Sequence, residues 1–257
     1  MTILTLLVKA SNTGQLRQVG DLLSAEFEDL DVEAKVLGNP INKWVQVSLS
    51  GEDETIAANY INKEIGTCPT TLENAKNQPV LKGYISKIDQ TKQELKVDVG
   101  IFEPKTMHAI VPLSRLQAQL AEGKEVAFKK IVDAFGLAEG LPLSVKEIGE
   151  EAEGLGTELS KPQVEKLLGW QQSLLDRLII LGAARGTVDS VLERTRLDRD
   201  VIDLEALGFF EHALTCKLGT DATGVIPRIG GYLKHSVFVV FSAKKSVSFL
   251  GEQGLTL

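Results

Sequence analysis

The residues between Gly219 and Gly231 include types that commonly bind anions. A glycine-rich turn that leads into a helix presents backbone N–H groups, and these can hold a phosphate or a carboxylate. Nearby hydroxyl and guanidinium groups could assist, so the candidate anion-binding residues are Gly219, Thr220, Asp221, Thr223, Gly224 and Arg228. The segment lacks both glycine patterns of the common nucleotide-binding loops. The alternative is structural, with Asp221 as a helix N-cap and the glycines permitting a tight turn.

The sequence gives no motif for metal binding or catalysis. His108, His212 and His235 lie in three different settings, and none has a cysteine or another histidine at ligand spacing. We therefore predict no metal site and no cofactor. No nucleophile elbow and no suggestive carboxylate pair occurs, so we assign no catalytic residue and favour a protein that is not an enzyme. A Ser-His-Asp triad assembled only in space stays an open alternative.

Basic and aromatic residues are interleaved between Leu81 and Ile148. Bases of single-stranded nucleic acid stack on aromatic rings, and lysines contact the phosphates. The candidate RNA-binding residues are Lys82, Tyr84, Lys87, Lys96, Arg115, Lys129 and Lys130. The alternative is that the aromatic rings fill a protein core while the lysines only solvate its surface.

The same segment predicts five short strands, because apolar residues alternate with polar ones between turn signals. The predicted strands span residues 81–89, 94–100, 108–116, 125–132 and 141–148. Five strands in this arrangement suggest a β-barrel of the OB type, a fold that often holds single-stranded nucleic acid.

The flanking parts predict two smaller α+β units. Residues 1–66 have the order β-α-β-β-α and residues 177–241 the order β-α-β-β-α-β, both typical of ferredoxin-like plaits. The fold class is therefore α+β, with an N-terminal ferredoxin-like domain (1–79), an OB-like barrel (80–149) and a C-terminal part (150–257). That last part contains a linker rich in Gly and Glu over residues 149–156, a helix capped by Ser160, and the second plait.

Charge and composition limit the classes of function. The chain has 257 residues and a net charge of −7, which argues against a general nucleic-acid coat protein. The barrel is the least acidic third, which permits a local basic face. The apolar run Ile3–Val8 is too short for a signal peptide or a membrane span. The two cysteines, Cys68 and Cys216, are far apart in sequence and fit a cytoplasmic protein.

The barrel segment resembles the ribosomal S-one type of OB domain. The resemblance rests on Gly83-Tyr-Ile, Leu95-Lys-Val-Asp-Val, Ala109-Ile-Val-Pro-Leu-Ser-Arg-Leu, Lys124-Glu-Val-Ala-Phe and Leu143-Ser-Val-Lys. Pro112 stands where that family has an RNA-stacking histidine, and Leu95 or Gln93 stands where it has an aromatic residue. The resemblance therefore implies the fold more than the RNA-binding surface.

Nearly the whole chain also resembles an archaeal family of uncharacterised proteins, the domain of unknown function 2110. The segments that carry this resemblance are Trp44–Glu54, Asp98–Ile101 and Leu218–Gly230. The resemblance implies a cytoplasmic archaeal protein and brings no activity with it.

These observations together predict a non-enzymatic RNA-associated protein whose partner is RNA or the ribosome. The prediction rests on analogy of fold, and nothing indicates a preference for DNA, a membrane partner or a particular oligomeric state. Two other classes stay open. One is a small-molecule-binding or regulatory protein with an anion site at residues 219–231, and the other is a protein–protein scaffold.

Overall fold

The computed structural model describes residues 1–151 and 154–246. It divides into two compact units. The first contains residues 1–75 and 100–106, and the second contains residues 76–99 and the chain from residue 107 onward.

The first unit is a three-stranded sheet with helices. Its elements are β1 (Thr2–Lys9), α1 (Thr13–Glu26), β2 (Val32–Ile41), β3 (Trp44–Gly51) and α2 (Glu54–Tyr60), which continues as a π-helical turn (Ile61–Ile65). The strands are antiparallel in the order β1-β3-β2. The Asn12 side chain begins α1 by accepting the N–H of Gln15 at 2.9 Å. Val19, Leu23, Trp44 and Val47 are fully buried and form part of the core. The β-α-β-β-α order predicted for residues 1–66 is present.

A short segment then leads to the barrel. β4 (Thr70–Thr71) pairs in parallel with residues 101–103, and α3 (Leu72–Lys76) follows it.

The second unit contains a closed five-stranded barrel, as the sequence predicted. Its strands are β5 (Leu81–Asp89), β6 (Glu94–Glu103, of which residues 94–99 belong to this unit), β7 (Met107–Pro112), β8 (Pro142–Glu151) and β9 (Gly154–Leu159). The ladder runs β6-β5-β8-β9-β7, and a further β6–β7 pairing closes it. β7 and β9 are parallel, whereas the β5–β6, β5–β8 and β8–β9 pairs are antiparallel.

Two predicted strands of the barrel are wrong in whole or in part. The strand expected over residues 108–116 ends at Pro112, and α4 (Leu113–Leu120) follows; the strand expected over 125–132 is α5 (Phe128–Ala134). Leu116 and Leu120 are buried at helical spacing, as are Phe128, Ile131 and Val132. The strand over residues 125–132 was predicted from the alternation of residues 126, 128 and 130. The same segment also fits the three-to-four-residue period of a helix, and the structure follows that period.

The linker expected over residues 149–156 is also wrong where the structure describes it. Residues 154–159 form β9, which is mostly buried and closes the barrel against β7. Only glycine fits at position 154 without a clash, because a Cβ there would lie 2.3 Å from the carbonyl oxygen of His108. Glycine at this point marks a close approach of two strands rather than a flexible connection.

A helix and a four-stranded sheet complete the second unit. They are α6 (Lys161–Gln172), β10 (Arg177–Leu181), α7 (Arg185–Arg194), β11 (Val201–Ala206), β12 (Glu211–Cys216), α8 (Ala222–Ile229) and β13 (Val237–Phe241), with the antiparallel strand order β11-β12-β10-β13. Ser160 caps α6 by accepting the N–H of Gln163, as predicted.

The two faces of this sheet have different neighbours. On one face, Leu178, Ile180 and Leu214 share a core with the buried residues of α7 and α8. On the other face, Gly136 of the barrel lies against Ile179 and Phe241, and the ring of Trp170 from α6 meets that of Phe241 edge-on at 5.7 Å. The barrel and the C-terminal sheet therefore share an apolar contact.

No helix within residues 1–151 and 154–246 combines the length and the apolar character needed to cross a membrane.

Candidate functional site

Three of the seven predicted RNA-binding residues are exposed lysines without an acidic partner. Lys82 lies on β5 opposite Ser144 of β8, and Lys129 and Lys130 are neighbours on α5. None of the three forms an ion pair with any residue in the described part of the chain. Their charges are therefore available to a phosphate backbone.

Two other predicted lysines are neutralised by acids at the β5–β6 hairpin. Lys87 and Lys96 face each other across the ladder, and so do Asp89 and Glu94. Lys87 Nζ lies 2.9 Å from Asp89 Oδ2, and Lys96 Nζ lies 3.5 Å from Glu94 Oε1. The hydrogen bond from Lys87, followed by that from the backbone N–H of Lys92, lowers the pKa of Asp89 to about 2. The acids reduce the repulsion between the two lysines, which face each other across the ladder. They also reduce the attraction of both lysines for an anion.

The remaining two predicted residues are less suited to RNA than the sequence indicated. Arg115 on α4 is half-exposed and approaches Glu158 of β9 at 3.7 Å. Tyr84 is only 4% exposed, so no base can stack on its ring in this structure. The prediction of Tyr84 as a stacking residue is corrected: it lies on the outer face of β5, where the C-terminal sheet covers it.

Tyr84 instead contacts a buried carboxyl group that the sequence analysis did not single out. The Tyr84 hydroxyl donates to Oε2 of Glu211 at 3.4 Å, and the backbone N–H of Phe210 donates to the same oxygen at 3.2 Å. Gly208 packs directly against this carboxyl, because a Cβ at that position would lie 2.3 Å from Oε2. Glu211 begins β12, so this contact joins the barrel to the C-terminal sheet.

Burial determines the ionisation of Glu211. Its removal from water raises the pKa of the Glu211 carboxyl to about 7, although the hydrogen bonds from Phe210 and Tyr84 act in the opposite direction. The group is thus close to half protonated at neutral pH. The contact between the barrel and the sheet is therefore sensitive to pH near neutrality.

His212, the next residue on β12, has a different environment. It is buried and lies with Nε2 3.0 Å from the carbonyl oxygen of Ala183. Burial lowers the pKa of this imidazole, which keeps the ring neutral at pH 7. Among the residues that the structure describes, no group of three or more acids, histidines and cysteines is placed so that it could hold a metal ion.

The glycine-rich turn has the geometry of a helix cap. Gly219 has φ +91°, and the Asp221 side chain accepts the N–H of Thr223 at 2.9 Å at the start of α8. The carboxylate of Asp221 therefore already occupies the N-terminal end of this helix. Gly219, Thr223 and Gly224 are exposed, and Thr220 is half-buried.

The arginine that was expected to assist an anion is engaged elsewhere. Arg228 donates to Asp200 Oδ2 at 3.0 Å and to the carbonyl oxygen of Thr195 at 2.9 Å, so it links α8 to the end of α7. The structure thus places the six predicted anion-binding residues on one turn and helix, but it directs the guanidinium to other partners. Anion binding at residues 219–231 stays a prediction.

Replacing Asp221 with alanine tests the capping role. We expect Asp221→Ala to lower the free energy of unfolding by about 0.5–2 kcal/mol, because the N–H of Thr223 loses its acceptor. Asp221→Asn is the matched control and should retain most of the stability. Urea unfolding of the three proteins measures the difference. A phosphate-induced rise in melting temperature that is lost in Arg228→Ala would instead support the anion site.

Comparison with protein families covers most of the chain. The DUF2110 N-terminal domain matches residues 2–71, the DUF2110 central domain matches residues 75–171, and the DUF2110 C-terminal domain matches residues 175–241. A search of curated protein sequences finds no match.

Proposed function

We propose a function for this chain, which belongs to the DUF2110 family. It is a non-enzymatic protein that binds single-stranded RNA, free or in the ribosome, through its barrel. Its proposed location is the archaeal cytoplasm. The observation that carries this proposal is the set of exposed, unpaired lysines Lys82, Lys129 and Lys130 on the barrel unit.

The strand order supports an OB-type barrel. If the strands are numbered along the chain from β5 to β9, the closed order is 1-2-3-5-4-1, with strands 3 and 5 parallel and the helices between strands 3 and 4. This is the arrangement of a five-stranded Greek-key barrel, which many single-strand-binding proteins use. The C-terminal strand order β11-β12-β10-β13 similarly supports a ferredoxin-like plait.

The side chains support binding that depends on charge more than on base stacking. Tyr84 is buried, and so are Phe128 and Phe135, whereas Lys82, Lys129 and Lys130 are exposed. A surface of this kind contacts the phosphate backbone and discriminates weakly between bases. We therefore propose low sequence specificity and strong salt dependence. The cytoplasmic location is supported by the two buried cysteines, Cys68 and Cys216, which form no disulfide.

A triple charge reversal tests the proposed surface. We expect Lys82→Glu combined with Lys129→Glu and Lys130→Glu to weaken binding of a labelled oligouridylate by about tenfold or more at low salt, because three phosphate contacts become repulsive. Fluorescence anisotropy measures the affinity, and circular dichroism checks that the variant is folded.

The matched control reverses three exposed lysines outside the barrel, Lys35, Lys63 and Lys161. It changes the net charge by the same amount, so a general charge effect would weaken both variants equally. Equal loss in the two variants would contradict a binding surface on the barrel.

A further inference from the structure

The last strand of the C-terminal sheet, β13, has an edge that no residue in the described part of the chain pairs with. It is hydrogen-bonded only to β10, in a register without any shift. Val237 is 57% exposed, and Phe238, Val239 and Val240 are each partly exposed. An edge of this kind presents a row of backbone donors and acceptors to an additional strand.

β13 lacks several of the usual protections of an edge strand. Its sequence, Val-Phe-Val-Val-Phe, has no charge, no proline and no bulge. The opposite edge of the same sheet is protected, because β11 carries Asp203 and Glu205 and shifts register between Val201 and Asp203. Charged residues and bulges normally prevent edge-to-edge pairing. The contrast therefore singles out β13 as the edge that is open to pairing.

The charges around β13 select the kind of strand that would pair with it. No aspartate or glutamate occurs between Ala222 and Ser246, although the whole chain is acidic; from outside this segment, the Asp176 carboxylate accepts the N–H of Ala243 at 3.0 Å just beyond the strand. The exposed residues Lys234 and Lys244 flank the strand on its two sides, and neither forms an ion pair with a described residue. A strand with an apolar centre and acidic ends is thus complementary to this edge.

A second copy of this chain is a poorer occupant of the edge. Antiparallel pairing of two β13 strands about a two-fold axis at Val239 would bring the turn that carries Lys234 of each copy near the helical turn that carries Lys244 of the other. Like charges that are brought together at both ends of a strand pair repel each other. The charge pattern therefore opposes closure of a symmetric dimer through this edge.

We propose that β13 is a docking site for an extended segment of a partner protein, which adds a fifth strand to the C-terminal sheet and has an apolar centre flanked by acidic residues. Main-chain hydrogen bonds supply affinity in this mode of recognition, and the flanking charges supply selectivity. This proposal rests on other residues than the proposed RNA surface and does not depend on it.

Synthetic peptides test the proposal with the full chain unchanged. The probe is a fluorescein-labelled peptide, Glu-Glu-Val-Thr-Val-Thr-Val-Glu-Glu, and two comparison peptides replace every glutamate with lysine or methylate the five central backbone nitrogens. We expect the acidic peptide to bind at least about tenfold more tightly than either comparison peptide at low salt, because only it has both the charges and the backbone donors.

Charge reversal on the protein gives the second arm. Lys234→Glu combined with Lys244→Glu should reverse the preference toward the lysine-flanked peptide, whereas the control Lys63→Glu should leave the preference unchanged. Three results would overturn the proposal: no binding of the acidic peptide, equal binding of its N-methylated form, or a stable dimer in light scattering that Val237→Lys dissociates. The first two exclude strand addition, and the third assigns the edge to a second copy.

Discussion

Glu211→Gln is expected to remove a pH dependence of stability that the wild-type protein shows between about pH 4.5 and pH 7. The pKa of Glu211 is about 7 in the folded protein, compared with 4.5 for an ordinary glutamate. In that range the folded state binds more protons than the unfolded state, so the free energy of unfolding falls as pH rises. The protonated Glu211 carboxyl contributes about 3 kcal/mol to the free energy of unfolding at low pH. This contribution is lost as the pH rises past 7.

Glutamine has the shape of the protonated carboxyl and can still accept the hydrogen bonds from Tyr84 and Phe210. The variant should therefore resemble the wild type near pH 5 and exceed it in stability at pH 8. Urea unfolding at several pH values measures this, with Glu165→Gln as a control at an exposed carboxylate. If wild type and Glu211→Gln have parallel pH profiles, Glu211 does not ionise in the way its burial indicates.

Gly83→Ala is expected to cause a large loss of stability in the barrel. A Cβ at position 83 would lie 2.2 Å from the carbonyl oxygen of Asp98 and 3.0 Å from the Cα of Val99. Both atoms belong to the β6 backbone, which cannot move without breaking its pairing with β5. We expect a loss of about 3 kcal/mol or more in the free energy of unfolding.

The control for this substitution is Gly169→Ala in α6, where nothing lies within 4 Å of an added Cβ. Because alanine favours a helix more than glycine does, that variant should be more stable by up to about 1 kcal/mol. Thermal unfolding followed by circular dichroism compares the two. A Gly83→Ala protein as stable as the wild type would show that β5 and β6 do not approach each other as closely as the structure has them.

The strands of the barrel were predictable where the sequence fits the two-residue period of a strand and no helical period. Residues 94–100 of β6 alternate strictly, and the predicted starts of β5 and β6 at Leu81 and Glu94 agree with the structure. Over the short window of residues 126–132, the apolar residues fit both the strand period and the helix period. The helix forms because it packs Phe128 and Ile131 into the core, which the local sequence does not show. The sequence alone predicts a linker at Gly154, because the close approach of this residue to His108 is a tertiary contact that no local pattern shows.

The candidate site was less predictable than the fold. The sequence identifies lysines, but it does not show that Lys87 pairs with Asp89 while Lys82 has no acidic partner. It also could not show that the C-terminal sheet covers Tyr84, since Glu211 is 127 residues away in the chain. A glutamate directly after Phe209 and Phe210, at the start of an apolar strand, was the one local sign that this carboxyl is buried.

The central claim is that the barrel unit binds single-stranded RNA through unpaired lysines, and the salt dependence of binding tests it most directly. Fluorescence anisotropy of the wild-type protein with a labelled oligouridylate of about 20 nucleotides gives the affinity over a series of salt concentrations. With three phosphate contacts, the logarithm of the association constant should fall against the logarithm of the salt concentration with a slope of about −2. The absence of binding at about 50 mM salt, or an affinity that does not change with salt, would contradict the proposed function.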